Sequence, residues 1–71
     1  MRRFGQKLRT LRERQGISLR KLASDLDFSS HAHLGRIETG EKSPSAALVL
    51  KIARYFDVST DTLMKDELEL E

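Results

Sequence analysis

The chain has no cysteine and no tryptophan, and only 6% of its 71 residues are aromatic. The absence of cysteine excludes disulfides, thiolate nucleophiles and cysteine-based metal sites, and it is compatible with a reducing compartment. The longest unbroken apolar run is Ala46–Leu50, which is too short for a membrane span or for the core of a signal peptide. A stable fold must therefore come from helix packing around one small core.

Charge is unevenly distributed along the chain. Residues 1–36 carry nine Lys or Arg against three Asp or Glu, a net charge of +6, whereas residues 37–71 carry four against eight, a net charge of −4. Such asymmetry is typical of a protein with one face for a polyanion such as nucleic acid. A basic, solvated helix face is the alternative interpretation, and the charge alone does not decide between the two.

Apolar residues recur at helical spacing along most of the chain, which predicts five short helices in one all-α domain. Gly16 and Gly40 are expected to end the first and third helices. The predicted helix caps are Ser18, Ser29 or Ser30, Ser45 and Ser59. The predicted apolar or buried positions are Phe4, Leu8, Leu11, Leu19, Leu22, Ala23, Leu26, Leu34, Ile37, Leu48, Val49, Ile52, Ala53 and Phe56. The tail from Asp66 onward is expected to be frayed.

The second and third predicted helices have the dimensions of a helix-turn-helix unit, with about three residues between them. In such a unit the second helix lies in the DNA major groove and the first lies across the DNA backbone. Any compact helical bundle contains similar pairs, so this signal is weak on its own.

Three segments make the signal specific. They are LRTLRERQGISLRKLASDL at Leu8–Leu26, GRIETGEKSP at Gly35–Pro44 and LKIARYFDVSTDTL at Leu50–Leu63. Together they resemble the phage-repressor and Cro-type helix-turn-helix family over nearly the whole chain. The resemblance runs from about Phe4 to Met64 and implies a compact five-helix bundle of the lambda-repressor type. We assign this domain to residues 1–65 and an acidic C-terminal tail to residues 66–71.

The resemblance also implies a function and a set of DNA contacts. It implies sequence-specific binding of double-stranded DNA, usually by a dimer. We therefore expect a cytoplasmic, nucleoid-associated transcriptional regulator, a repressor that acts as a homodimer and needs no cofactor. The base-reading positions of the family fall on His31, Ala32, Gly35 and Arg36. The segment Asp27–His31 holds one residue more than the commonest spacing in the family, so we expect a longer turn before the third helix.

Each base-reading candidate has its own chemistry. The planar guanidinium of Arg36 matches guanine O6 and N7, and Ala32 offers a methyl group to thymine. Glycine is unfavourable inside a helix, so Gly35 indicates either close approach to DNA or tight packing against the second helix. His31 and His33 are able to donate to a base edge or a phosphate. They point about 200° apart on a helix, which predicts no shared metal site.

Phosphate contacts are expected from basic side chains and from groups at helix starts. The candidates are Arg20, Lys21, Ser30, His33, Lys42 and Ser45. Members of the family that the chain resembles usually have Gln at the position of Leu19. That Gln helps to hold the DNA backbone in relatives, so one phosphate contact is expected to be missing here.

Two further sets of residues are expected to have structural roles, the first of them from the resemblance. Arg12 and Glu38 look like a structural ion pair that joins the first helix to the end of the third, with two independent surface charges as the alternative. The dimer surface is expected at the end of the fifth helix, Thr60–Met64, together with the tail, and its candidate residues are Thr60, Leu63 and Met64. Leu63 has the core as its alternative location.

Other classes of function compete with sequence-specific DNA binding. The chain has no Cys nucleophile, no Gly-rich phosphate loop and no His-Glu-x-x-His motif, so we expect no enzymatic activity. An antitoxin-like module that binds a protein partner as well as DNA is one alternative, because Leu68 and Leu70 alternate with acidic residues in the tail. Non-specific DNA packaging is another, and it predicts binding that is indifferent to Arg36→Ala.

Overall fold

All five predicted helices are present in the computed structural model, which describes residues 1–71 and contains no strand. The helices are α1 (Phe4–Arg14), α2 (Leu19–Asp25), α3 (His31–Glu38), α4 (Ala46–Phe56) and α5 (Thr60–Met64). The prediction of an all-α, five-helix bundle is confirmed. None of the helices has the length and apolar character that crossing a membrane requires.

Four of the five helices begin at a serine that caps the first turn. Each serine has an extended backbone, and its hydroxyl oxygen accepts a hydrogen bond of 3.0–3.1 Å from the backbone N–H three residues later. These caps are Ser18, Ser30, Ser45 and Ser59. Each contributes about 1 kcal/mol, because it satisfies an N–H group that has no partner inside the helix. Of the two predicted caps for α3, Ser30 is the one used.

Residues with positive φ reverse the chain after the first four helices. Gly16 and Gly40 have φ of 66° and 85° just after α1 and α3, as predicted for helix-ending glycines. Asp27 and Asp57 adopt the same left-handed region, with φ of 55°, after α2 and α4. Aspartate tolerates this conformation better than most residues, since its short side chain bonds locally. These sharp turns bring successive helices back onto one core.

The apolar sides of all five helices meet in a core of fourteen buried residues. They are Phe4, Leu8, Leu11, Leu22, Ala23, Leu26, Leu34, Ile37, Leu48, Val49, Ile52, Ala53, Phe56 and Leu63. The predicted apolar positions are all in this core except Leu19, which is partly buried and packs against it. Full burial of one large apolar side chain stabilises the fold by roughly 1.5–3 kcal/mol.

The backbones of α1 and α3 meet at Gly5. A Cβ atom at this position would lie against the carbonyl oxygen of Ile37 and 2.6 Å from that of Glu38. Rotation of a side chain cannot relieve such an overlap, because both oxygens belong to the backbone. Gly5 therefore allows the end of α3 to rest directly on α1, and this contact fixes the position of α3.

The C-terminal tail is docked, and the prediction that it is frayed is wrong. Residues 65–71 lie along α1. The Arg3 guanidinium donates to the carbonyl oxygen of Asp66 at 2.8 Å and to both carboxylate oxygens of Glu69 at 2.7 and 2.9 Å. Leu70 is partly buried against the core. The acidic tail meets a basic first helix, so opposite charges and one apolar anchor hold it.

Lys7 is a buried cation on α1, only 1% exposed. Its Nζ donates to three backbone carbonyl oxygens, those of Thr62 at 2.7 Å, Lys65 at 2.9 Å and Leu68 at 2.6 Å. All three ammonium hydrogens are therefore used, and the positive charge lies where the carbonyl end of α5 needs donors. The sequence contains a signal for this burial, because Lys7 follows Phe4 by three residues on the apolar face of α1.

Candidate nucleic-acid interface

α2 and α3 form a helix-turn-helix pair with an exposed outer face. α3 packs against α1 and α2. Its inner side chains, Leu34 and Ile37, are buried at 0% and 1% exposure. The exposed residues of α3 and its C-cap are His31, Ala32, Arg36 and Thr39, with Gly35 partly exposed among them. The side of α3 that holds the base-reading candidates is therefore available to a ligand.

The turn between α2 and α3 spans residues 26–30 and is anchored by Phe28. Phe28 donates its backbone N–H to the carbonyl oxygen of Ala23 at 2.8 Å, and its ring is partly buried against the core. The ring centroids of Phe28 and His33 are 5.6 Å apart. His33 is therefore held against the turn, which leaves His31 as the exposed histidine at the start of α3.

Arg36 is exposed on α3 and only loosely held. Its Nε lies 3.9 Å from Glu41 Oε2, and both side chains are more than half exposed, at 56% and 65%. Such a surface pair contributes at most about 1 kcal/mol. A ligand can therefore displace Glu41 at little cost, while the backbone of Arg36 stays fixed by hydrogen bonds to its carbonyl oxygen from the N–H groups of Glu41 and Lys42.

Gly35 contacts α2 without being crowded by it. A Cβ atom at Gly35 would lie 3.4 Å from Leu19 Cδ1 and would meet no other such neighbour within 4 Å. An alanine would fit there with a small movement of the flexible leucine. Packing against α2, one of the two predicted reasons for a glycine, therefore does not by itself require glycine at this position, in contrast to Gly5.

Arg12 and Glu38 form a largely buried ion pair. Arg12 Nε and Nη2 donate to the two carboxylate oxygens of Glu38 at 2.7 and 3.1 Å, and Nη1 donates to the carbonyl oxygen of Ile17 at 2.8 Å. The side chains are 15% and 6% exposed, so they are not independent surface charges. The hydrogen bond with Glu38 raises the pKa of Arg12, against the opposing effect of burial. The pair ties α1 and the loop before α2 to the end of α3.

The basic phosphate candidates differ in how far they are already engaged. Arg20 and Lys42 are exposed, and neither side chain forms an ion pair or a hydrogen bond within the protein. Lys21 donates to Asp25 at 2.9 Å, which raises the pKa of Lys21. The hydrogen bonds from Lys21 and from the Tyr55 hydroxyl, the latter 2.6 Å long, lower the pKa of Asp25. Arg20 and Lys42 are therefore the most available cations near the helix-turn-helix pair.

The two serine candidates already serve as helix caps. The hydroxyl oxygens of Ser30 and Ser45 accept hydrogen bonds from the backbone N–H groups of His33 and Leu48. Each hydroxyl hydrogen remains able to donate to an anion. No group of three or more His, Asp or Glu side chains is arranged to hold a metal ion.

The three residues predicted for the dimer surface do not all lie on the surface. Leu63 is 0% exposed and belongs to the core, because α5 packs its apolar side onto α1 and α4. Its placement on a dimer surface is therefore corrected to the core alternative. Thr60 is partly exposed, and Met64 is 42% exposed. The tail adds one more uncovered apolar side chain, Leu68, which is 39% exposed.

Comparison with known proteins agrees with this geometry. A family model described as a helix-turn-helix domain matches residues 3–65, and the chain belongs to that family. Among solved structures, the fold is similar to the N-terminal DNA-binding domain of SinR from Bacillus subtilis, with 28% sequence identity and a TM-score of 0.84. The match covers 97% of this chain and 100% of that domain. The comparison with curated protein sequences finds no match. The predicted membership of a helix-turn-helix family is confirmed.

Proposed function

We propose that the chain binds double-stranded DNA sequence-specifically, as a transcriptional regulator of the repressor type. The observation that carries the proposal is the exposed outer face of α3, where the Arg36 guanidinium is available to a ligand. The inner face is locked by the core and by the Arg12–Glu38 ion pair. The similarity to the DNA-binding domain of SinR supports the same assignment.

In this proposal α3 enters the major groove and reads base edges. Arg36 donates two N–H groups to guanine O6 and N7, which discriminates against other bases by roughly 1–3 kcal/mol. Ala32 and Gly35 have little or no side chain, so the backbone of α3 can approach the bases closely. His31, at the exposed start of α3, donates to a base edge or to a phosphate at the groove wall.

Phosphate contacts would set the position and angle of α3 in the groove. Arg20 and Lys42 supply two free cations, and Lys21 supplies a third if a phosphate displaces Asp25. The helix starts add neutral donors, since their N–H groups favour anions. The remaining proposed contacts come from Ser30, His33 and Ser45.

A homodimer would supply the affinity that one small domain lacks, because the second domain binds at high effective concentration. We place the dimer contact at the end of α5, around Thr60 and Met64, where apolar surface remains uncovered. Two such domains would read half-sites about 34–36 Å apart, one turn of the double helix. A regulator of this kind acts on the nucleoid in the cytoplasm, and we place the protein there.

The test is selection from a randomised duplex library with purified protein at physiological salt, followed by sequencing of the bound DNA. An enriched inverted repeat is the expected result. Binding without enrichment would contradict sequence-specific binding and indicate attachment through phosphates alone. No binding to any duplex would overturn the proposal and favour a protein partner at the exposed Met64 and Leu68 side chains.

The selected site then allows a direct test of Arg36. We expect Arg36→Ala to weaken binding to the preferred site by roughly 10-fold or more and to relax preference at one base pair of each half-site. Lys42→Ala is expected to weaken binding to all sequences alike and to lower the salt slope by about one. Arg54→Ala, which removes an exposed cation on α4 that lies outside the proposed DNA and dimer contacts, is the control and should change neither quantity. Affinities are measured by fluorescence anisotropy at several salt concentrations.

A further inference from the structure

The middle of the outer face of α3 is apolar. Leu19, the first residue of α2, is partly exposed, and its Cδ1 lies just above Gly35, 3.4 Å from where a Cβ atom would stand. Ala32 precedes Gly35 by three residues, which places it on the same side of α3. We call the apolar patch formed by the Leu19 side chain, the Ala32 methyl group and the bare backbone at Gly35 the Leu19–Gly35 notch. At Gly35 an added Cβ atom would meet only Leu19 Cδ1 beyond its own helix, so bare backbone lies beside a leucine methyl group there.

The notch offers no hydrogen bond from its side chains. Along α3, the exposed polar residue His31 precedes Ala32, and the exposed Arg36 follows Gly35. A polar base-edge atom pressed into the notch would lose water and gain no partner, which is unfavourable. In the major groove, the apolar group on a base edge is the C5-methyl of a pyrimidine, which in unmodified DNA is thymine. The chemistry of the notch therefore matches one feature of one base.

We infer that Leu19 is a specificity-determining residue, and that the Leu19–Gly35 notch binds the C5-methyl group of one thymine in each half-site. The inference rests on the proposed function and deepens it. Glycine at position 35 has a reason in this arrangement, because an alanine methyl would cover the bare backbone on which the thymine methyl rests. Packing alone did not supply that reason, since an alanine would fit against Leu19.

The experiment uses the DNA site selected with the unaltered protein. Each thymine of one half-site is replaced in turn by deoxyuridine, which removes the methyl group and keeps every hydrogen-bonding atom. For one thymine we expect about fourfold weaker binding, the effect of exposing one buried methyl group. With Leu19→Gln, the thymine and deoxyuridine duplexes should bind within about twofold of each other at that position, since the amide does not provide an apolar wall.

Two variants act as matched controls. Leu19→Met keeps an apolar wall and should keep the fourfold preference for thymine. Leu68→Gln changes an exposed leucine of the tail in the same chemical way and should also keep it. Circular dichroism melts establish that each variant is folded at the assay temperature. If Leu19→Gln is not folded there, Leu19→Ala replaces it with the same expectation.

The outcomes separate the notch from the proposed function. An enriched site whose thymines all tolerate deoxyuridine would overturn the notch and leave sequence-specific binding intact. A thymine preference that persists in Leu19→Gln would also overturn it, because the methyl group would then be read elsewhere. Failure to enrich any sequence would overturn the proposed function, and the notch with it.

Discussion

Gly5 and Gly35 both lie inside helices, where glycine costs about 1 kcal/mol relative to alanine. Their surroundings differ. At Gly5 an added Cβ would overlap two backbone carbonyl oxygens at the end of α3, whereas at Gly35 it would touch the end of one leucine side chain. Gly5 is therefore a requirement of packing, and Gly35 is not. Glycine therefore stands at these two positions for different reasons, and only the residues that surround each position in the folded structure distinguish them.

This difference predicts opposite effects for the same substitution. We expect Gly5→Ala to destabilise the domain by about 2 kcal/mol or more, because α1 and α3 must move apart. Gly35→Ala should leave stability unchanged or raise it by up to about 1 kcal/mol through helix propensity. Urea unfolding followed by far-ultraviolet circular dichroism measures both. Equal stability of the two variants would contradict the packing role of Gly5.

At the scale of elements, the position of α3 depends on contacts at its C-terminal end. Gly5 lets α1 approach that end, and the Arg12–Glu38 ion pair ties it to α1 and to the loop before α2. Neither contact lies on the outer face of α3. Residues away from the candidate DNA surface therefore hold α3 in its position.

The ion pair supplies the prediction at this scale. Arg12→Ala leaves the Glu38 carboxylate, 6% exposed, without its partner, and we expect a loss of about 3 kcal/mol or more. Arg9→Ala is the matched control on the same helix. Its partner Glu13 lies 3.6 Å away and both side chains are more than half exposed, so the loss should stay under about 1 kcal/mol.

Thermal melts followed by circular dichroism measure the stability of both variants. A third variant, Arg12→Lys, keeps the positive charge and should have a stability between that of Arg12→Ala and that of the unaltered protein. Arg12→Ala should lower the melting temperature more readily than it alters DNA sequence preference. The reason is that Arg12 supports the packing of α1 against α3 and is not among the proposed base-reading residues. Equal melting temperatures for Arg12→Ala and the unaltered protein would show that the Arg12–Glu38 pair does not stabilise the packing of α1 against α3.

At the scale of the whole molecule, the acidic tail closes on the basic first helix. Hydrogen bonds from the backbone N–H groups of Arg3 and Arg2 lower the pKa of Asp66, and the hydrogen bond from the Arg3 side chain lowers the pKa of Glu69. A carboxylate with a lowered pKa stabilises the folded state above its unfolded pKa, near 4. That contribution is lost as the pH falls through the lower, folded-state value.

Acid should therefore release the tail. We expect thermal stability to fall on acidification below about pH 4, with the Leu68 amide losing protection from hydrogen exchange. That amide donates to the carbonyl oxygen of Lys65 at 3.1 Å when the tail is docked. Glu69→Gln should reduce this pH dependence. Glu67→Gln, a neighbouring exposed acid with no hydrogen bond to α1, should leave it unchanged.

Much of the fold follows from local pattern. Helical spacing of apolar residues identified five helices and thirteen of the fourteen core residues, with Leu63 left open between core and surface. Serines at helix starts and glycines at helix ends marked most boundaries. These features depend on a few consecutive residues, so they can be read along the chain. The pairing of Arg12 with Glu38 came from the family resemblance and not from pattern, since 26 residues separate them.

Features that depend on distant parts of the chain were decided by the tertiary structure. The tail alternates acidic and apolar residues, and this local pattern does not predict that it packs on α1. Hydrogen bonds from the Arg3 side chain to Glu69 and from the buried Lys7 side chain to the Leu68 carbonyl oxygen hold it there. Leu63 is buried because α1 and α4 cover it. Position 5 requires glycine because the backbone carbonyl oxygens of Ile37 and Glu38 occupy the space that a Cβ atom would need. Sequence pattern describes which residues prefer water and which conformations they favour, whereas the identity of a neighbour across the core exists only once the helices have packed.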